Sequence, residues 1–369
     1  MVIKPRKELE NVTPYQPGKP IEEVKREMGL KDVIKLASNE SAVSPSPKVL
    51  KAVKEAAKDI NRYPDGGSFY LKKAISGKFS VPQDNIVLGN GSDELIVLAL
   101  RAFVTEGEEV IVSSPTFLVY SIAASVVGAK VVTVPAKELR YDLGSILRAV
   151  TPRTRMIFIA NPDNPTGSYL SKAEISGFVE KVPENVILFI DEAYYEFGPD
   201  RGSNDEMVSV QRPDKNIIRT RTFSKAYGLA GLRIGYGFAR KDIAAAINKV
   251  REPFNINSLA QTAAIAALDD EAYMKMSVDL VNKEKNKLFR AMESMDVRAV
   301  PSSTNFILIE TFRDSMKIFK FLLERGIIVR EMSSWGFKGF VRVTVGTKKE
   351  NEKFLRIFGD ALNAVEKEK

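Results

Sequence analysis

Apolar positions along the chain come in two textures. Between residues 86 and 220 short β-branched runs recur, separated by helical stretches: IVL at 86–88, EVIVS at 109–113, KVVTV at 130–134, MIFIA at 156–160, VILFI at 186–190 and IIRT at 217–220. Most runs are continuous rather than alternating, as in strands of a parallel sheet covered by helices on both faces. Helical spacing marks VLKAVKEAAKDI, opened by SPSP at 44–47, and the apolar ELIVLALRAF at 94–103. From about Asn257 the texture changes to long helical stretches, LAQTAAIAAL and a charged segment through Met295. Strand signals NFILIE at 305–310 and FVRVTVG at 340–346 follow. The pattern predicts an α/β fold with a large domain over 41–255, its mostly parallel sheet sandwiched by helices, and a smaller α+β domain over 256–369. Pro5, Pro14, Pro17, Gly18 and Pro20 predict an extended arm over 1–40, packed on the small domain or on a partner subunit.

Composition narrows the chemistry. The 369 residues are 44% hydrophobic and 28% charged, which suits a folded body with a solvated surface. The chain has no Cys and no His, which excludes a disulfide framework, a thiolate nucleophile, a Ser-His-Asp triad and the usual zinc sites. Proton transfer near neutral pH then falls to Lys, Tyr, Asp or Glu, or to a cofactor; no metal is expected. Lys plus Arg exceed Asp plus Glu by 55 to 47, but the charges are dispersed and read as a solvated face rather than a nucleic-acid surface. The uncharged stretch 110–129 holds Pro115 and Gly128 and splits into a strand-like and a helix-like half, so no membrane span is expected. No apolar core follows the opening MVIKPRKELE, and a cytoplasmic enzyme is the default expectation.

Three of the strand runs lead into polar loops. MIFIA leads into NPDNPTG at 161–167, VILFI into DEAY at 191–194, and IIRTRTF into Ser224 and Lys225. In open α/β sheets ligands sit outside the carboxyl ends of the strands, so these loops can converge on one site. A fourth element, GNGSDE at 89–94, lies between a strand run and an apolar helix. Glycine allows close approach of the backbone, and the N–H groups of a helix start favour an anion such as phosphate. A lysine, a carboxylate, a phenol, an amide and a phosphate cradle together, with no His or Cys, suit pyridoxal phosphate. That cofactor needs an amine to take its aldehyde, a carboxylate to keep its ring nitrogen protonated, and donors for its phenolic oxygen.

The segment RTFSKAYGLAGLRIGYG at 221–237 resembles the lysine-bearing motif of fold type I aminotransferases, and more narrowly that of histidinol-phosphate aminotransferases. The likeness continues in LASNE at 36–40, RYPDGG at 62–67, GNGSDELI at 89–96, NPDNPTG, DEAYYEF at 191–197, PFNINSLAQ at 253–261, NFILI at 305–309, GIIVR at 326–330 and VRVTVGT at 341–347. The resemblance implies that Lys225 takes the cofactor and shuttles the proton at the substrate's α-carbon. It implies that Asp191 pairs with the pyridine nitrogen, that Asn164 and Tyr194 donate to the phenolic oxygen, and that Phe117 stacks on the ring. Gly91, Ser92, Asp93, Thr222, Ser224 and Arg233 would hold the phosphate. Tyr63 would reach the cofactor of a second copy, which implies a homodimer. On the substrate side it implies Tyr15, Asn39, Asn164, Arg330 and Arg342, because a guanidinium fork takes a carboxylate or a phosphate equally well.

The chain also departs from the pattern. Asn39-Glu40 is followed by SAVSPSP where relatives commonly read NENP, which bears on substrate choice. Asp163 stands where Asn is frequent, a position expected to matter less than Asn164, and Trp335, the only tryptophan, is expected to pack a domain edge. The implied activity is amino transfer between L-glutamate and imidazole acetol phosphate, an amino donor and a 2-oxo acid being the small-molecule partners. An aromatic or broad-specificity aminotransferase, or an amino-acid-phosphate decarboxylase, shares the same frame. A regulator of the same fold would carry an added DNA-binding domain, for which the arm before residue 40 is too short and proline-rich.

Overall fold

The computed structural model describes residues 3–10, 12–201, 212 and 214–367. After the two-residue strand β1 (Ile34–Lys35), the chain lays down β2 (Ile86–Gly89), β3 (Glu109–Ser114), β4 (Lys130–Pro135), β5 (Thr154–Ala160), β6 (Ile187–Asp191), β7 (Asn216–Thr222) and β8 (Gly235–Ala239). These last seven form one sheet in the order β2-β8-β7-β6-β5-β3-β4. Strands β3 to β7 run parallel. Strand β8 is antiparallel to both of its neighbours, β7 and β2. Strand β2 therefore points the same way as the parallel core, and the loops after β2, β3, β5, β6 and β7 all emerge at one edge. The strand order reverses where β5 and β3 meet, which opens a crevice at that edge.

The continuous runs read from the sequence are buried: every residue of β2 and β6 is inaccessible, and β5 is nearly so. Strand β8 carries no β-branched residue and gave no strand signal. Its glycines are there for space, since a Cβ on Gly235 would lie 2.4 Å from the Ser92 amide nitrogen and one on Gly237 2.7 Å from the Arg219 carbonyl.

The second sheet contains β9 (Arg298–Val300), β10 (Phe306–Glu310), β12 (Arg330–Glu331) and β13 (Phe340–Thr344), ordered β12-β13-β10-β9 and antiparallel. Helices Glu271–Glu293, Ser315–Glu324 and Lys348–Ala364 cover it, with Phe354, Phe358, Val278 and Leu288 in the shared core. The helix Ser258–Leu268 instead packs on Pro47–Ala56 and Phe69–Phe79, in one cluster with Leu88, Tyr236 and Phe238 of the large sheet. The change in sequence texture near residue 255 thus precedes the change in packing: alanine-rich helices look alike on either side of it.

The arm differs from the extended expectation. Residues Ile21–Met28 form a helix, with Pro20 before it, Glu22 and Glu23 in its first turn and Gly29 closing it in the left-handed conformation. Val24 packs against Ala37, Leu323 and Ile328, and β1 pairs in parallel with β11 (Ile327–Ile328). The arm from Ile21 onward accordingly rests on the second unit, whereas its start lies on the large unit, Arg6 donating to the Val126 carbonyl at 2.5 Å and Lys7 pairing with Glu106 at 3.3 Å. Among the described residues no helix is long and apolar enough to cross a membrane.

Candidate active site

The loops at the shared strand edge line a cleft of about 320 Å³, with Asn39, Ser92, Phe117, Tyr120, Asn164, Asp191, Tyr194, Ser224, Lys225 and Arg342 among its walls. Lys225 follows β7 and its amine donates to the Ser38 carbonyl at 3.3 Å. Among the described residues no carboxylate pairs with it. Burial, and then the charge of Arg342, hold this amine down at about 8. Asp191 ends β6, buried. Its Oδ2 accepts from the Tyr120 phenol at 2.7 Å and its Oδ1 from the Ala193 amide at 3.0 Å. Burial lifts its carboxyl to about 6, and no cation pairs with it among the described residues. A carboxylate held this way is poised to receive a positively charged partner.

Asn164 and Tyr194 complete the floor. Arg342 Nη1 donates to the Asn164 Oδ1, and among the described residues the Asn164 NH₂ has no hydrogen-bond acceptor. Tyr194 Oη accepts from Asn39 Nδ2 at 2.8 Å, so its own proton remains to be given; burial pushes the phenol well above its usual range and keeps that proton on. At the far end the helix Ser92–Phe103 starts at Gly91 (φ 82°) with no side chain capping its first amides. Ser224, Thr222 and Arg233 gather there. The Ser224 amide donates to Thr222 Oγ1 at 3.1 Å, and Arg233 Nη2 lies 3.4 Å from Asp93. A Cβ on Gly91 would meet Arg233 Nη2 at 2.4 Å, so the cradle closes only around glycine.

Arg342 and Arg330 face each other across β13 and β12. Arg342 Nη2 donates to the Ala37 carbonyl at 3.1 Å and Arg330 Nη2 to the Gln16 carbonyl at 2.5 Å. The Nε of each is buried with no acceptor, and neither has an acidic partner among the described residues. Aromatic faces surround them instead: Arg342 lies 5.1 Å from the Phe306 ring centre, and Arg330 5.7 Å from Tyr15 and 4.9 Å from Trp335. Arg342 lines the cleft and Arg330 lies opposite it on the neighbouring strand; neither is in an ion pair among the described residues, so the two guanidinium groups can hold an anion.

Not every expected residue lines the cleft. Arg330 stands behind Tyr15 rather than in the wall, and Tyr63 is 84% exposed, stacked on Phe254 with ring centres 4.8 Å apart. Asn39 spends its amide on Tyr194 and its backbone amide on Thr344, so within this chain it positions the phenol. Asp163 is a buried hub, accepting from Thr116 (3.0 Å), Tyr141 (3.0 Å) and Thr166 (2.7 Å), and thus fixes the loop that carries Asn164. The expectation that it matters less than Asn164 missed this; nothing local in NPDNPTG reveals partners at 116 and 141. Tyr120 was missed too, although it lies three residues beyond Phe117 at helical spacing.

Comparison with known proteins extends this picture. The family model described as aminotransferase class I and II matches residues 31–358. A histidinol-phosphate aminotransferase from Moorella thermoacetica is 44% identical over 361 residues, covering 98% of this chain and 94% of the relative. Histidinol-phosphate aminotransferase 2 from Carboxydothermus hydrogenoformans is 46% identical, covering 95% and 97%. The crystal structure of histidinol-phosphate aminotransferase from Sinorhizobium meliloti in complex with pyridoxal-5'-phosphate matches with a TM-score of 0.90 at 29% identity, covering 99% of both chains. The fold is that of the fold type I aminotransferases. By sequence, architecture and the arrangement of its cleft, the chain belongs to the class I and II aminotransferases.

Proposed function

We propose that this chain is a pyridoxal-phosphate-dependent histidinol-phosphate aminotransferase, moving the amino group between L-glutamate and imidazole acetol phosphate in histidine synthesis. The observation that carries the substrate reading is the pair Arg330 and Arg342, opposed on neighbouring strands and without an ion pair among the described residues, of which Arg342 lines the same cleft as Lys225. Such a pair suits a reaction whose donors bring a carboxylate in one half and a phosphate ester in the other. The relatives' names agree with it.

The residues present fit the cofactor. A buried carboxylate without a cation matches a pyridinium nitrogen, two unspent donors match a phenolic oxygen, and an uncapped helix start with a glycine-limited arginine matches a phosphate. When bound, pyridoxal phosphate supplies an aldehyde that takes up the amino group and a ring that draws electrons from the α-carbon. Lys225, with its lowered proton affinity, would be the amine that receives the aldehyde and the base that moves the proton at the α-carbon. Asp191 keeps the ring nitrogen protonated, and Tyr120 orients Asp191. Asn164 and Tyr194 donate to the phenolic oxygen, and Phe117 provides the flat apolar face. Ser92, Asp93, Thr222, Ser224 and Arg233 hold the phosphate at the helix start. Arg342 and Arg330 orient the anionic end of the substrate, with Tyr15 covering it.

The working unit in this reading is a homodimer. Tyr63, Phe254, Phe69 and Tyr70 form an exposed aromatic group that a second copy would cover, with Tyr63 serving the second copy's cofactor phosphate. A cytoplasmic setting follows in the same reading, since charged donors and acceptors do not cross membranes unaided.

The test is a stopped half-reaction. Loaded protein is mixed in turn with L-histidinol phosphate, L-glutamate and L-phenylalanine, and the cofactor's colour change is timed. Fast reaction with the first two supports the assignment. Faster reaction with phenylalanine would make this an aromatic aminotransferase, and release of carbon dioxide would make it a decarboxylase.

A further inference from the structure

Trp335 sits where the two units meet, and its surroundings give it work beyond packing. It follows β12 in a short turn and is 6% exposed, among Leu308, Met332 and Phe340. Its indole N–H crosses to the large unit and donates to the Thr116 carbonyl at 3.1 Å. That carbonyl belongs to the residue before Phe117, and the Thr116 hydroxyl in turn donates to Asp163. The face of the same indole lies 4.9 Å from the Arg330 guanidinium and 5.9 Å from that of Arg342. One side chain therefore touches both uncompensated arginines and the loop that presents Phe117.

Two like charges placed directly opposite on paired strands repel each other, and among the described residues no carboxylate is in ion-pair contact with either, Glu331 acting on Arg330 only through space. An indole face attracts a cation through its ring quadrupole without occupying the anion's place, as a carboxylate would. A counter-acid would neutralise the receptor, whereas an aromatic floor holds the guanidinium groups and leaves their hydrogen-bond donors for the substrate.

We infer that Trp335 is a positioning residue for anionic substrates: its ring holds Arg330 and Arg342 ready for a carboxylate or phosphate, and its N–H keeps that receptor in register with the Phe117 loop. This rests on the reading of the two arginines as the substrate's anion receptor. The residue lies outside the reacting atoms, so its effect falls on binding of the charged end rather than on proton transfer.

The test uses the loaded enzyme and three variants. Trp335→Leu removes the face and the N–H. It raises KM for L-histidinol phosphate and L-glutamate about ten-fold, with kcat changed by less than about two-fold. Trp335→Phe keeps a ring under the arginines and recovers most of that loss. A purely structural role would lower kcat, or the amount of active enzyme, without a selective rise in KM, and equal KM values in the Leu and Phe variants would overturn the inference.

A second measurement needs no Trp335 variant. Trp335 is the only tryptophan, so its emission reports on this place alone. Inorganic phosphate added to the loaded wild-type enzyme changes that emission saturably, and Arg330→Met weakens the response. Flat emission while phosphate inhibits turnover competitively would overturn the inference. If histidinol phosphate proves no substrate, yet phosphate moves the emission and Trp335→Leu still weakens glutamate, the substrate assignment falls and the role of Trp335 stands.

Discussion

The amine of Lys225 is reactive only when neutral, and its surroundings favour that form. Held down at about 8 against an ordinary 10.5, roughly a tenth of it is neutral at pH 7, against about one part in three thousand for an exposed lysine. Uptake of pyridoxal phosphate by cofactor-free protein should therefore accelerate as pH rises through about 8 and level off above, when followed by absorbance. Burial is the main cause of the shift and Arg342 the next, so Arg342→Leu should move the inflection upward; an inflection unmoved by that change would contradict the electrostatic account. Lys225→Ala should lower turnover with every donor by at least about a thousand-fold, since it removes both the anchor and the proton carrier. Tyr120→Phe deletes the hydrogen bond to Asp191 and should cost about ten-fold in kcat/KM, the usual scale for a bond to a charged group. Lys225, Asp191, Asn164 and Tyr194 were legible because each sits in a motif at a strand end. Tyr120 and Asp163 were not, because their partners lie 71 and 47 residues away and only the fold brings them together.

Among the elements, strands of β-branched residues announce themselves, and the parallel core was readable to within two residues at its ends. Strand β8 was hidden for a physical reason. Its sequence GYGFA gives up propensity so that the start of the helix Ser92–Phe103 can press against it, with no room for a Cβ at Gly235. Gly235→Ala must push the Ser92 amide away. It should cost about 1–3 kcal/mol by denaturant unfolding, the range for overpacking a filled site. It should also weaken cofactor binding, measured by equilibrium dialysis, more than an equally destabilising change in the second unit such as Ile357→Ala. The helix in the arm was obscured by its prolines, although Pro20 marks where that helix begins rather than preventing it.

For the molecule as a whole, the convergence of the strand-end loops on one cleft was readable from the pattern, while the contacts between distant parts of the chain that surround it were not. Trp335 to Thr116, Arg342 to Asn164 and Asn305 to the Asn39 carbonyl all join residues more than 170 positions apart. Nothing periodic in the sequence encodes such pairs. Shared sites between copies are testable by mixing subunits. Tyr63→Ala and Lys225→Ala proteins, each poorly active, should regain activity when unfolded and refolded together, because one site of the hybrid then holds an intact Lys225 and an intact Tyr63 from the other copy. No gain on mixing would mean that Tyr63 serves its own chain or none.

Lys225, opposite Asp191, is the group on which the proposed chemistry turns. Loaded protein is reduced with borohydride, digested, and the peptides mapped by mass. The account predicts one cofactor adduct, on the lysine of the sequence FSKAY. An adduct on another lysine, or none from fully coloured protein, would contradict it.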